Sequence, residues 1–109
     1  MSRRVRKITC KELKEKIDNN ETFYLFDVRE PEEFEICCLD WSILVPLSEF
    51  EDHIDDFDIK DTYVIHSKGG KRSEQAALFM RDKGFKNVKA LKGGIVQWAK
   101  EIDSKLEIY

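Results

Sequence analysis

The sequence has few cysteines, prolines and glycines, and it contains no long run of apolar residues. Its 109 residues include three cysteines, two prolines and five glycines. No linker rich in proline, glycine or serine divides the chain, so residues 1–109 are predicted to form one domain. No apolar run approaches the roughly 18 residues that a membrane-spanning helix needs. A membrane is therefore not expected among the partners.

The cysteines are too few and too irregularly spaced for a disulfide framework or a zinc site. Cys37 and Cys38 are adjacent and Cys10 stands apart, an arrangement that favours a reducing compartment. Zinc needs about four ligands at orderly spacings, which these cysteines and the two histidines do not offer. No metal and no cofactor are predicted. The basic start, MSRRVRKITC, lacks the apolar core of a signal peptide, so we expect a cytoplasmic protein.

Charge is distributed unevenly along the chain, although its sum is small. With 19 basic and 22 acidic residues the net charge is −3, which argues against nucleic acid as a partner. The acidic stretch EFEDHIDDFDIKD is interpreted as a solvated face. Lys68, Lys71 and Arg72 cluster beside Gly69 and Gly70. A local positive patch on a mildly acidic protein predicts a small anionic ligand.

Apolar, strand-like segments alternate with amphipathic helical segments. The predicted strands are FYLFDV, SILVPL, TYVIH and NVKAL. The predicted helices begin at a capping box of Thr9 and Glu12, at Pro31, at a second capping box of Ser48 and Glu51, at Arg72 and at IVQWAKEI. This alternation predicts an α/β domain whose parallel sheet is covered on both faces. Ligands of such sheets bind beyond the carboxyl ends of the strands, where VIHSKGGKRS lies.

The end of that stretch is predicted to form an anion-binding loop. In order, it contains Ser67, Lys68, Gly69, Gly70, Lys71, Arg72 and Ser73. The two glycines allow the backbone to curl tightly, so that its amides and the start of the next helix point inward. The lysines add positive charge and the arginine adds a fork of donors. The side chain of residue 67 is expected at the centre of this ring.

A serine at that centre is not expected to be a nucleophile. A cysteine there would ionise, because a thiol pKa near 8.5 falls to about 3.5–7.5 beside cations and a helix start. A serine hydroxyl needs an adjacent base, and His66 should point to the opposite face of its strand. The chain has no Gly-x-Ser-x-Gly elbow and lacks the spacing of a nucleotide P-loop. Neither a serine hydrolase nor a P-loop enzyme is predicted.

Four segments, taken in order, resemble the rhodanese-like family over nearly the whole chain. They are LFDVREPEEF, VPLSEF, the loop, and GFKNVKALKGGIVQW. The resemblance implies a single rhodanese-like domain with a five-stranded parallel sheet, helices on both faces and a six-residue loop from Ser67 to Arg72. In the family's active sulfurtransferases the first loop residue is a cysteine that carries a persulfide. Sulfur passes to it from a donor such as thiosulfate, and on to cyanide, a thiol or a protein.

The resemblance also implies roles for individual residues. Ser67 stands at the nucleophile position, Lys68 to Lys71 supply the cradle, Arg72 and Ser73 close it, and Asp27 and Arg29 support it from behind. The expected ligand is a small oxyanion such as thiosulfate or sulfate, held mainly by the arginine and the loop amides. Because an alcohol cannot form a stable persulfide, the sequence as it stands is expected to transfer little or no sulfur.

Residues 37 to 42, CCLDWS, depart from the family pattern, which usually has Gly-His-Ile-x-Gly-Ala there. EICCLDWS is instead similar to the rhodanese domains of enzymes that activate ubiquitin-like sulfur carriers, which points to a protein sulfur donor or acceptor. A third class, a phosphatase-like relative, shares a similar cradle but has one more loop residue.

Three explanations of Ser67 stay open. It is a replacement introduced into a protein prepared for study, a natural change in a relative kept as a binding or regulatory module, or a sign that another cysteine does the work. Cys37 and Cys38 would be those alternatives. We disfavour them because buried cysteines behave as small hydrophobic residues and no cation flanks them in the sequence to lower the thiol pKa.

Overall fold

The computed structural model describes residues 4–109 as a five-stranded sheet with helices on both faces. The strands are β1 (Lys7–Ile8), β2 (Tyr24–Asp27), β3 (Ser42–Leu44), β4 (Tyr63–His66) and β5 (Val88–Leu91). The helices are α1 (Cys10–Asp18), α2 (Pro31–Ile36), α3 (Leu47–His53), α4 (Lys71–Asp82) and α5 (Gly94–Glu101), with a 3-10 turn at Ile54–Asp56. The first three residues of the basic N-terminal stretch lie outside the described part of the chain.

All neighbouring strands are parallel, in the order β1-β5-β4-β2-β3. β4 and β2 lie side by side in the middle, and the register pairs Asp27 with His66. The two strands therefore end at the same level, and the segments that follow them meet there. The predicted α/β fold with a parallel sheet is confirmed.

Alternation along the strands divides the apolar core into two layers. Leu25 and Val64 face one side of the sheet, where α1 and α5 pack. Phe26 and Ile65 face the other side, where α3 and α4 pack. Strands buried on both faces explain why their sequences are almost uninterrupted apolar runs. None of the helices in residues 4–109 combines the length and apolar character that crossing a bilayer requires.

The first predicted capping box is confirmed and the second is wrong. The Glu12 amide donates to Thr9 Oγ1 at 3.1 Å, and the Thr9 amide donates to Glu12 Oε1 at 2.9 Å. At α3, by contrast, the cap position is Pro46 and no side chain caps the helix. The amide of Leu47 is already bonded to the Val28 carbonyl, so the end of β2, rather than Ser48, determines where α3 begins.

Candidate functional site

The loop between β4 and α4 curls around the hydroxyl of Ser67. Ser67 Oγ accepts hydrogen bonds from the backbone amides of Gly70, at 3.2 Å, and of Ser73, at 3.3 Å. The Ser67 hydroxyl donates to Ser73 Oγ, which in turn donates to the Gly70 carbonyl. Two backbone donors thus converge on one side-chain atom at the first turn of α4, where the helix dipole is positive.

The backbone of the loop depends on glycine at two places. Gly70 has φ +117°, a conformation that favours glycine. Gly94, at the start of α5, packs so closely behind the loop that an added Cβ would lie 2.3 Å from the Lys68 carbonyl oxygen. This approach lets the Ile95 amide donate to the Ser67 carbonyl at 2.9 Å. The start of α5 therefore holds the loop from behind, a role that the sequence alone did not predict.

A buried ion pair lies behind the loop at the end of β2. Asp27 and Arg29 are both inaccessible to solvent, and Arg29 Nη2 lies 2.7 Å from Asp27 Oδ2. Arg29 Nε donates to both carboxylate oxygens, at 3.0 and 3.1 Å. Burial lowers the pKa of Arg29, but its hydrogen bonds to Asp27 and Tyr109 outweigh that effect and raise it. The guanidinium is therefore charged, and its two nitrogens bind the carboxylate in the bidentate geometry of strong Arg–carboxylate pairs.

Arg29 also joins the segment after α2 to this pair. Its Nη2 donates to the Cys37 carbonyl at 2.7 Å, and its Nη1 lies 3.9 Å from Cys37 Sγ. The expectation that no cation lies beside these cysteines is therefore wrong for Cys37, because the fold brings a residue from β2's end against it. Cys38 instead lines a surface groove with Trp41 and residues of α1 and α5.

Neither Cys10 nor Cys38 is an activated thiol. Burial raises the pKa of Cys10 to about 11, with the charge of Glu101 acting in the same direction. Burial, with the charge of Asp27 acting in the same direction, also raises the pKa of Cys38. Thiols with a raised pKa are weaker nucleophiles at neutral pH, so the structure offers no support for either as a relocated nucleophile.

His66 is fully buried behind the loop and does not serve Ser67 as a base. Its Nε2 lies 3.7 Å from Asp27 Oδ2, and neither ring nitrogen makes a hydrogen bond within residues 4–109. Burial lowers the pKa of His66 to about 4, so the ring is neutral at pH 7. The Ser67 hydroxyl donates to Ser73 Oγ, so no base among residues 4–109 accepts its proton. The loop is not a serine-nucleophile site.

Arg72 faces a carboxylate of α2. Its Nη1 lies 2.6 Å from Glu33 Oε1 and its Nη2 lies 3.0 Å from Glu33 Oε2. The hydrogen bonds from Arg72 are the main reason that the pKa of Glu33 is lowered to about 2. The guanidinium predicted to hold an anion is thus already paired with Glu33, which the sequence had not identified. Lys71 is exposed at the start of α4.

Tyr109, from the segment after α5, lies against the same group. Its hydroxyl donates to Glu33 Oε2 and accepts a hydrogen bond from Arg29 Nη1 at 3.0 Å. The Nζ of Lys68 lies 4.2 Å from the centre of its ring. Burial and the bond to Glu33 raise the pKa of Tyr109, so the phenol is protonated at pH 7. Sequence reasoning did not identify this residue.

The arrangement favours a negatively charged atom at position 67 and gives no sign of a metal. Within residues 4–109 there is no group of three or more histidine, cysteine or acidic side chains that could hold a metal ion. The chemistry available is therefore that of two converging amides, a helix start and the cations nearby.

Comparison with known proteins agrees with this geometry. A family model described as "Rhodanese-like domain" matches residues 9–101. "Adenylyltransferase and sulfurtransferase MOCS3-2" of Zea mays is 30% identical over 94% of this chain, which spans only 23% of that protein. "Putative sulfurtransferase YtwF" of Bacillus subtilis is 30% identical over 93% of this chain and 97% of its own length. The solved structure of a rhodanese-related protein from Thermoplasma volcanium has a TM-score of 0.80, with 30% identity over 89% of this chain and 93% of that one.

Proposed function

This chain belongs to the rhodanese-like domain family, and on that premise we propose that it is a sulfurtransferase or persulfide carrier domain that Ser67 disarms. With cysteine at that position, the loop would take sulfur from thiosulfate or a protein persulfide and pass it to an acceptor. With serine, the loop binds the oxyanion and transfers no sulfur. Relatives whose names include sulfurtransferase or sulfur carrier support the reaction class.

One observation carries the proposal: two backbone amides converge on the γ atom of residue 67, and no base in the described part of the chain accepts its proton. Gly70 and Ser73 supply these donors. Backbone donors and a helix N-terminus stabilise an anionic sulfur, which needs no base once it is ionised. An alcohol under the same field stays protonated. The loop is therefore better suited to a thiolate than to the hydroxyl it holds.

The proposed reaction has two steps, both at the thiolate of a cysteine at position 67. In the first, the thiolate attacks the outer sulfur of thiosulfate, the sulfur–sulfur bond of thiosulfate breaks, and sulfite leaves with the bonding electrons. In the second, an acceptor such as cyanide attacks the outer sulfur of the persulfide and thiocyanate forms. The thiolate leaves and takes up the converging amide bonds again. No external oxidant or metal is needed.

The loop amides, rather than the Arg72 fork, would make most of the contacts with the oxyanion. The first amides of a helix have no partner inside the helix, and those of Lys71 and Arg72 open α4. The Arg72 guanidinium is bonded twice to Glu33, so it contributes positive field more than direct hydrogen bonds. The exposed Lys71 adds a mobile charge at the same end.

Replacing Ser67 with cysteine tests the proposal. The Ser67→Cys protein incubated with thiosulfate is expected to gain the mass of one sulfur atom and to form thiocyanate from cyanide. Ser67→Ala is the matched control, because it keeps the loop free of any nucleophile and should form none. The same assay with Cys37→Ser and Cys38→Ser added removes two of the other thiols. A folded Ser67→Cys protein that acquires no sulfur would contradict the proposal.

A non-catalytic binding module is the second candidate, and Ser67 itself favours it. A loop that keeps its backbone donors but has serine at the centre still offers an anion site. In that case the Ser67→Cys variant stays silent while sulfate still binds the unmodified chain. A phosphatase-like activity is a third outcome, detected as aryl phosphate turnover by the cysteine variant.

A protein donor or acceptor and a cytoplasmic location complete the proposal. The chain spans about a quarter of the two maize relatives, whose names join an adenylyltransferase to a sulfurtransferase. A rhodanese domain joined to another activity can pass sulfur between proteins rather than to cyanide. A persulfide also survives best where no disulfides form, which is consistent with three free cysteines.

A further inference from the structure

Tyr109 contacts both ends of the loop that surrounds residue 67. At the first end, its ring lies under the ammonium of Lys68, 4.2 Å from ring centre to Nζ. At the second end, its hydroxyl donates to Glu33, the carboxylate that holds the Arg72 guanidinium. A single side chain from the segment after α5 therefore links the two arms of the loop, the first directly and the second through Glu33.

The phenol is anchored by directional bonds rather than by packing alone. The Tyr109 oxygen accepts a hydrogen bond from Arg29 Nη1 at 3.0 Å, and the Tyr109 hydroxyl donates a hydrogen bond to Glu33. Both partners are fixed, Arg29 by Asp27 and Glu33 by Arg72. Hydrogen bonds to charged groups are the stronger kind. The hydroxyl thus fixes the position of the ring beneath the Lys68 ammonium.

The residue at the centre of the loop, Ser67, is almost closed to solvent. Ser67 is 1% exposed, although the loop lies at the surface end of the sheet and Gly69 is exposed. Lys68 and Tyr109 are both half-buried, as expected for side chains that cover a site and still face water. Because Tyr109 contacts Lys68 directly and Arg72 through Glu33, it limits how far the two arms of the loop can separate to admit a reagent to residue 67.

We propose that Tyr109 is a specificity-determining residue: its ring narrows the entrance to position 67, admits small anions and excludes bulky partners until the phenol is displaced. This proposal rests on the proposed function in one respect, that residue 67 is the reacting position. It divides the substrates into two classes. Thiosulfate enters past the ring, whereas a protein donor or acceptor has to displace Tyr109 from Glu33 and Arg29.

Alkylation of the Ser67→Cys protein tests this inference without requiring any sulfur transfer. The rates of modification by iodoacetamide, which is small, and by fluorescein maleimide, which is bulky, are measured at position 67 by peptide mass mapping. Adding Tyr109→Ala is expected to raise the maleimide rate at least about tenfold, because each of the two hydrogen bonds to charged groups that anchor the phenol is by itself worth about that factor. The iodoacetamide rate should change much less.

Two further variants separate the ring from its anchor and from general loosening. Tyr109→Phe keeps the ring but loses both hydroxyl bonds, so its maleimide rate should fall between those of tyrosine and alanine. Ile108→Ala alters an exposed neighbour and should leave both rates unchanged. Thermal unfolding of each variant shows whether the fold is intact, and Tyr109→Phe keeps the test usable if Tyr109→Ala is unfolded.

Equal maleimide rates with tyrosine, phenylalanine and alanine at position 109 would overturn the inference. So would a tenfold rise for both reagents, because that would indicate an opened fold rather than a widened entrance. The two proposals also fail separately. A cysteine variant that shows the predicted labelling but transfers no sulfur contradicts the function alone. One that transfers sulfur but labels regardless of residue 109 contradicts the role of Tyr109 alone.

Discussion

The polar centre of the molecule and its aromatic cluster both include residues of β2 and β4, yet different forces hold them. The polar centre is Asp27, Arg29 and His66, all inaccessible to solvent. The aromatic cluster consists of side chains on the α3 and α4 face, Phe26, Phe50, Phe57, Tyr63, Phe79 and Phe85. In β2 the two regions touch along the chain, because Phe26 directly precedes Asp27.

The difference lies in how much each group depends on its partner. The rings of Phe26 and Phe57 pack with centroids 4.7 Å apart, an attraction that a side chain of similar volume largely preserves. The Arg29 guanidinium, in contrast, makes directional hydrogen bonds to the Asp27 carboxylate, the Cys37 carbonyl and the Tyr109 hydroxyl. Removing one partner leaves the other charge buried without compensation. We therefore expect the polar centre to tolerate substitution less well than the aromatic cluster does.

The largest effect is expected when the ion pair is broken from one side. Arg29→Met keeps much of the side-chain length but leaves the Asp27 carboxylate buried without its cation. We expect the free energy of unfolding to fall by about 3–5 kcal/mol, the usual cost of removing one partner of a buried pair. Urea unfolding of the unmodified chain and the variant measures this difference.

The matched control removes both charges. A double variant, Asp27→Asn with Arg29→Met, has no uncompensated charge and should be more stable than Arg29→Met alone. The difference in free energy of unfolding between the two variants measures the penalty of leaving the Asp27 carboxylate without its cation, not the net contribution of the ion pair. If the single and double variants unfold at the same urea concentration, the ion pair does not distinguish the polar centre from the aromatic cluster.

How much the sequence could predict differs between the two regions in the same way. Strands β2 and β4 were predicted because burial on both faces leaves continuous apolar runs, FYLFDV and TYVIH. Local chemistry was equally readable where one element contains it all, as in the capping box of Thr9 and Glu12. It failed at Ser48, where a bond from Leu47 to β2 overrode the local signal. Sequence periodicity could not predict β1, because a strand of two residues is too short to show any.

The partners of the loop were beyond sequence reasoning, because they come from distant parts of the chain. Glu33 lies 39 residues before Arg72, and Tyr109 lies 76 residues after Glu33. Neither residue belongs to the loop pattern, and neither an acidic run such as that of α2 nor a lone tyrosine indicates which residue it contacts. The centre of the loop was predictable, since Gly70 and Ser73 lie within the same short segment as Ser67. Expectations about the donors around residue 67 therefore agree with the structure better than those about its cations.

A smaller effect is expected from His66, and it depends on pH. Its pKa is lowered to about 4 in the folded chain, against an ordinary value of 6.5. Between these values the unfolded chain binds a proton that the folded chain refuses, so stability falls as the pH falls. From pH 7 to pH 5 this amounts to about 2 kcal/mol. Urea unfolding at pH 7, 6 and 5 gives the slope.

His66→Leu fills a similar volume without a titrating group and should flatten that slope. Glu33 does not interfere in this window, because its pKa is lowered to about 2 from 4.5 and its loss of stability comes at lower pH. A variant whose stability falls with pH as steeply as that of the unmodified chain would assign the slope to other groups. The polar centre would then be less sensitive to protons than its burial implies.

The smallest effect is expected in the aromatic cluster, where a change of shape replaces a change of charge. Phe50 is 1% exposed and meets the rings of Phe26, Phe57 and Phe79. Phe50→Leu keeps an apolar group of related volume, so unfolding should become easier by only about 1 kcal/mol. The loss should not vary between pH 7 and pH 5, because no titrating group is involved. A loss in free energy of unfolding as large as that of Arg29→Met would show that close ring packing tolerates substitution no better than a buried ion pair does.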